Sequence, residues 1–127
     1  MKTTVTKRFE FCYGHFLPGY NGKCKNVHGH NAVLEVTVSR EEELRDGDYD
    51  GMVMDFSQLK RIMEPIIEQF DHQMLNGEEW ESRIGNPTCE NIAFYLFQRI
   101  NDRLPDYYFV EKIRLTETPD SWAEVIR

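Results

Sequence analysis

The chain has little of what marks the more specialised protein classes. Among its 127 residues only three are cysteines, Cys12, Cys24 and Cys89. Three is too few, and odd, for a disulfide framework. No stretch approaches the ~18 consecutive apolar residues of a membrane helix. Lysine and arginine total 15 against 22 acidic residues, a net charge of -7 with no basic run. That argues against nucleic-acid binding through a basic surface. The start, Met1 to Lys7, lacks the long apolar core of a secretory leader, so a reducing, cytoplasmic setting is expected. There is no Walker or dinucleotide-type glycine pattern, no internal repeat and no low-complexity segment. What is present, 40% hydrophobic and 29% charged residues, is ordinary for a soluble globular protein. The length suits one domain over residues 1–127 with a real core.

Residues 3 to 13 alternate. Val5, Phe9, Phe11 and Tyr13 share one parity, with Lys7 the misfit, and the pattern predicts a half-buried strand that carries His15 on the same face. Pro18 to Lys23 reads as a loop. Ala32, Leu34, Val36 and Val38 predict a second strand starting near His28. The acidic stretch 40–51 reads as a solvated connection. Asp55 is placed to cap a helix, with Gln58 close to completing a capping box. That helix carries Phe56, Leu59, Ile62, Met63, Ile66, Ile67 and Phe70, and Pro65 is expected to kink it. Residues 76 to 87 read as a polar loop. Thr88 then caps a second helix with Ile92, Leu96, Ile100 and Leu104 on one stripe; Phe94, Tyr95 and Phe97 in it read as core or interface. Strands follow around Val110–Leu115 and Trp122–Ile126. The order ββααββ predicts an α+β fold, a four-stranded antiparallel sheet with two helices on one face.

Chemistry concentrates in Cys24-Lys25-Asn26-Val27-His28-Gly29-His30. On an extended chain His28 and His30 leave one face, and Gly29 would leave room for a shared ion. Adding His15 gives three imidazoles and an open position, the pattern of a catalytic zinc site. Cys24, between Lys23 and Lys25, reads either as a reactive thiol or as a fourth ligand closing a structural site. Asp71 beside His72 suits a general base oriented by a carboxylate; the alternative is a histidine meeting the last carbonyls of its helix. Glu117 could give a bidentate match to the N–C–NH₂ edge of a heterocycle, or be a solvated strand-end residue. Asp46, Asp48, Asp50 and Gly51 imitate the start of an EF-hand loop, but position twelve falls on Ser57 and the flanking helices are missing.

Taken together, Phe9-Glu10-Phe11 running to His15, Cys24-x-x-x-His28-Gly29-His30, Val53-Met54-Asp55-Phe56, Asp71-His72-x-x-Leu75-Asn76, Asn86-Pro87-Thr88-x-Glu90-Asn91 and Thr116-Glu117-Thr118 resemble the 6-pyruvoyltetrahydropterin synthase superfamily. Within it they resemble the carboxytetrahydropterin-forming branch of queuosine biosynthesis. The resemblance implies the tunnelling fold (T-fold), in which trimers join their sheets into a barrel and two trimers stack into a homohexamer with active sites between subunits. It implies Zn²⁺ on His15, His28 and His30, Cys24 as catalytic base, and Asp71 with His72 as a second proton-transfer pair. Glu117 would anchor the pterin with help from Thr88, and Lys23 would meet the triphosphate. The implied substrate is 7,8-dihydroneopterin triphosphate, converted to 6-carboxy-5,6,7,8-tetrahydropterin with release of acetaldehyde and triphosphate. Three residues separate Cys24 from His28, as in that branch; the pyruvoyl-forming branch typically has five. A third, folate-linked branch has glutamate where this chain has Lys25. Cys89 departs from the usual serine or threonine. A pyruvoyl-forming lyase and a non-catalytic zinc-stabilised binding module are the alternatives.

Overall fold

A computed structural model describes residues 1–41 and 51–127. The EF-hand-like aspartates and most of the acidic connection lie outside the described residues. The chain runs β1 (Val5–His15), a 3-10 turn (Lys23–Lys25), β2 (His28–Arg40), α1 (Phe56–Phe70), β3 (Gln73–Met74), α2 (Glu78–Ile84), α3 (Cys89–Arg103), β4 (Tyr108–Thr118) and β5 (Ser121–Ile126). The strands form one sheet in the order β3-β1-β2-β4-β5.

The alternation read from the sequence is the alternation that packs. Phe11 and Tyr13 of β1, Ala32, Leu34, Val36 and Val38 of β2, and Val110, Ile113 and Leu115 of β4 turn inward and are buried. Leu59, Met63, Ile66 and Phe70 of α1 and Ile92, Leu96 and Ile100 of α3 close over them as one core. Asp55 caps α1 by accepting the Ser57 N–H at 2.7 Å. The capping box is not closed, because Gln58 Oε1 is buried without a partner. Pro65 lies inside α1, which runs through it as one helix; the ring removes an N–H donor there. Thr88 caps α3 by accepting the Asn91 N–H at 3.1 Å.

Two expectations are corrected. Among the described residues the sheet has five strands and is mixed, because β3 pairs parallel to β1 through Tyr13–Gln73 and Gly14–Met74. Two residues are too short a run for a periodicity signal. The described residues form three α-helices, since the expected loop at 76–87 contains α2, anchored by the buried Trp80. Two apolar side chains, Trp80 and Ile84, in a seven-residue run of mostly charged residues are too few to read as an amphipathic stripe. Two bulges also interrupt β4. Pairing shifts past Glu111 against β2, so Val110 and Ile113 both face the core, and past Glu117 against β5.

Candidate metal and pterin site

The inner face of the sheet changes character at one end. Moving along β2 from Val38, the buried positions are apolar until His30 and His28 replace them. On β1, Phe11 and Tyr13 lead to His15, and on β4, Ile113 and Leu115 lead to Glu117. In the antiparallel register His15 faces His28 and Tyr13 faces His30. The two strands therefore bring three imidazoles to one spot, with ring centroids 4.5 to 5.0 Å apart.

The rings are oriented by backbone carbonyls. His15 Nδ1–H donates to the Pro87 carbonyl at 2.7 Å. His28 Nδ1–H donates to the Asn26 carbonyl at 2.7 Å. Both bonds fix the tautomer and leave Nε2 as a lone pair, the way metal-binding histidines are set up. His15 and His30 Nε2 lie 3.0 Å apart, and ligand atoms of all three rings lie within 4.8 Å of one another. Tetrahedral zinc with ligands at about 2.0–2.1 Å separates them by roughly 3.3 Å, so the cluster fits a small cation. Burial pushes His30 below its ordinary value, against the pull of Glu117, which favours the neutral, ligating ring. Gly29 alternates to the other face of β2, so it makes no room for an ion; a Cβ there would meet only the Tyr13 carbonyl, at 3.5 Å.

Glu117 Oε1 lies 3.7 Å from His15 Nε2 and 3.8 Å from His30 Nε2. The Tyr13 hydroxyl donates to it at 2.7 Å. A cavity of about 450 Å³ opens beside the cluster, and Cys24, Thr88, Cys89 and Glu117 line it with the three histidines. Cys24 is not among the groups whose ligand atoms converge. The Cys24 carbonyl accepts the Leu17 N–H at 2.7 Å, which ties the 3-10 turn to the cavity wall. Burial pushes the Cys89 thiol up to about 12, with the Glu117 charge adding to it, so Cys89 stays a neutral thiol and donates to the Leu115 carbonyl at 3.4 Å. Lys23 is exposed beside Cys24 and does not line the cavity.

Asp71 and His72 are not brought to this cavity. Asp71 ends α1, and its Oδ1 accepts the Cys12 N–H at 2.9 Å and meets His72 Nδ1 at 3.0 Å. The Cys12 N–H in particular holds the Asp71 carboxyl below its ordinary range. His72 adopts φ 61°, held by its own N–H to the Cys12 carbonyl at 2.7 Å. Its ring is 80% exposed at a second hollow of about 620 Å³ that Cys12, Gly14, Gly29 and Asn31 line together with Tyr13, His28 and His30. Cys12, Gly14, Gly29 and Asn31 alternate away from the histidine face.

Sequence reasoning missed two residues. Tyr13 read only as strand core, though its parity with His15 placed it at the site. Asn76 clamps the end of β1: its Oδ1 accepts the Phe16 N–H at 2.9 Å and its Nδ2 donates to the Phe16 carbonyl at 3.0 Å.

A three-histidine cluster that could hold a metal ion and a carboxylate beside it mark one end of a strand-rich α+β sheet, an arrangement that points to the pterin synthases. The pattern of the family described as 6-pyruvoyl tetrahydropterin synthase matches residues 4–127, and the chain belongs to that family. It is similar to the 6-carboxy-5,6,7,8-tetrahydropterin synthase of Rickettsia bellii, 36% identical over 138 aligned positions covering 94% of this chain and 97% of that one. An Archaeoglobus fulgidus protein provisionally given the same name is 38% identical over 117 residues, covering 92% and 90%. In structure the chain is similar to Caenorhabditis elegans 6-pyruvoyl tetrahydropterin synthase, with a TM-score of 0.82 at 25% identity, covering 100% of this chain and 96% of that one. The fold is therefore the T-fold.

Proposed function

We propose that this protein is a zinc-dependent lyase that converts 7,8-dihydroneopterin triphosphate and one water to 6-carboxy-5,6,7,8-tetrahydropterin, acetaldehyde and triphosphate. The observation that carries the reading is the sharing of one cavity by Glu117, Cys24 and the three histidines. The names of the similar relatives and the Cys24–His28 spacing support the carboxy-forming product. The substrate's guanidine-like edge has a 2-amino N–H and an N3–H side by side, which suits the two oxygens of the Glu117 carboxylate. Thr88 and the first turn of α3 border the same pocket, and Lys23 sits outside it, where the triphosphate would extend.

His15, His28 and His30 would hold Zn²⁺. Bound there, the metal would act as a Lewis acid toward the hydroxyls of the substrate side chain. Cys24, as thiolate, takes a proton from that side chain. Asp71 orients His72, which carries the second proton transfer. Because His72 does not line the cavity that holds Cys24 and Glu117 in one chain, the reading has a neighbouring subunit supply it, in a homohexamer built as a dimer of trimers. The chain acts as one domain, in the cytoplasm, on a free pterin without nucleic acid or membrane, and its product feeds queuosine or another 7-deazapurine.

The pyruvoyl-forming activity is the second reading, favoured by the likeness to the C. elegans structure. One experiment separates these. Zinc-loaded protein is incubated with 7,8-dihydroneopterin triphosphate and the products are read by mass spectrometry, beside Cys24→Ala. A 6-carboxy product with acetaldehyde, reduced at least ~100-fold in a variant that keeps its zinc, is expected. A 6-pyruvoyl product moves the protein to the second reading. No turnover, with zinc lost in Cys24→Ala, leaves a zinc-stabilised binding module.

A further inference from the structure

Tyr13 is 2% exposed and stands in the core-facing row of β1 between Phe11 and His15. Its ring meets His15 edge-on at 5.1 Å and tilts against His30 at 5.5 Å and Phe11 at 5.9 Å. Packing alone would be served as well by phenylalanine, as it is at Phe11. A buried hydroxyl is costly unless it is bonded. This one is bonded to Glu117 Oε1 at 2.7 Å, across 104 positions of sequence.

We propose that Tyr13 is a positioning residue for Glu117: its phenol holds the carboxylate beside the histidine cluster in the orientation that receives the pterin edge. Glutamate is a long, rotatable side chain, and Glu117 stands where β4 is interrupted by a bulge against β5. Bulges re-aim side chains but do not lock them. The phenol supplies the lock from a rigid strand position. It occupies one acceptor site of Oε1 and leaves Oε2 and a lone pair of Oε1 for a ligand with two donors. The same ring packs on two of the three histidines, so one side chain sets the carboxylate and the cluster relative to each other. A carboxylate fixed before the ligand arrives costs less to order on binding. The inference rests on the reading of Glu117 as the pterin anchor and adds the residue that orients it.

The test is Tyr13→Phe, which removes one oxygen and keeps the ring, with Glu117→Ala and the double variant completing a cycle. Four quantities are measured on each zinc-loaded protein: zinc content, the thermal midpoint, the dissociation constant for neopterin by its fluorescence, and KM and kcat for 7,8-dihydroneopterin triphosphate. In Tyr13→Phe the neopterin constant and KM should rise roughly tenfold, the scale of one well-made hydrogen bond to a charged group. The change in kcat should stay within about threefold, because the interaction is made equally in ground and transition states. Zinc content and the midpoint should match wild type, and the added effect should vanish in the Glu117→Ala background. Wild-type neopterin affinity in Tyr13→Phe overturns the proposal, as does an equal effect in the Glu117→Ala background or a loss of zinc or folding. Absence of neopterin binding and turnover in wild type itself overturns the reading of the site and the proposal with it.

Discussion

His15 shows how much one side chain can be asked to hold. It is 2% exposed, its Nδ1–H is committed to the Pro87 carbonyl, and its Nε2 faces His30. Replacing it with alanine removes a ligand and leaves that carbonyl without its partner. If the cluster holds zinc, binding stabilises the folded state by mass action. Chelation should then lower the wild-type thermal midpoint by roughly 5–15 °C. His15→Ala should start low, carry less than stoichiometric zinc, and show no further shift with chelator. Metal analysis and melting curves with and without EDTA check both. The three histidines are legible in the chain, because period-2 geometry puts residues 28 and 30 on one face and the β1 alternation delivers residue 15. Their anchors are not legible. The acceptor for His15 comes from 72 positions away and is a main-chain atom, and every residue has a carbonyl. Tyr13 was legible as core, but not its partner.

At the scale of elements, the end of α1 is tied to β1 rather than to solvent. Asp71 is the C-cap of α1, and its carboxylate accepts the Cys12 N–H in the middle of β1. Because that bond and His72 hold the carboxyl below its ordinary range, the folded chain resists protonation at Asp71 more than the unfolded chain does. The stabilisation is present above the ordinary carboxylate value of 3.8 and is lost as pH falls through and below it. Asp71→Asn, which cannot titrate, should unfold with a flatter dependence on acid between about pH 5 and pH 2, measured by urea midpoints. An unchanged acid slope would show that the tie contributes nothing. The long elements were readable because each carries its own period: 2 for β1 and β2, 3.6 for α1 and α3. The short β3 and α2 were not. They exist because the chain leaving α1 is pinned beside β1, through the Leu75 N–H to the Gly14 carbonyl at 2.9 Å and through the Asn76 clamp.

At the scale of the molecule, one chain has unfinished edges. β5 ends the sheet with Trp122 and Ile126 exposed. On the other side β3 covers β1 only at Tyr13 and Gly14. Open edges of this kind are normally paired or covered, which supports the proposed closure of sheets across subunits. The absence of Asp71 and His72 from the lining of the cavity that holds Cys24 and Glu117 points the same way. Mixing makes this testable. Cys24→Ala and His72→Ala should each be inactive alone. Unfolded and refolded together, they should regain roughly a quarter of wild-type activity, since random assembly completes that share of sites. No recovery would mean that each site is built from a single chain.

What the sequence determined by itself was local and periodic: the strands and helices long enough to show a repeat, the caps at Asp55 and Thr88, and the residue types able to bind a metal. Those follow from side-chain chemistry and from backbone geometry within a few residues. The tertiary structure decided what depends on distant partners. It placed Glu117 beside His15 and His30, gave the Tyr13 hydroxyl a carboxylate, supplied the Pro87 carbonyl as acceptor for His15, and set His72 in a hollow that Cys24 and Glu117 do not line. The physical reason is register. A one-residue offset between β1 and β2 would turn His28 and His30 away from His15, and only the packed core, with every apolar side chain in place on one face, makes that offset too costly to occur.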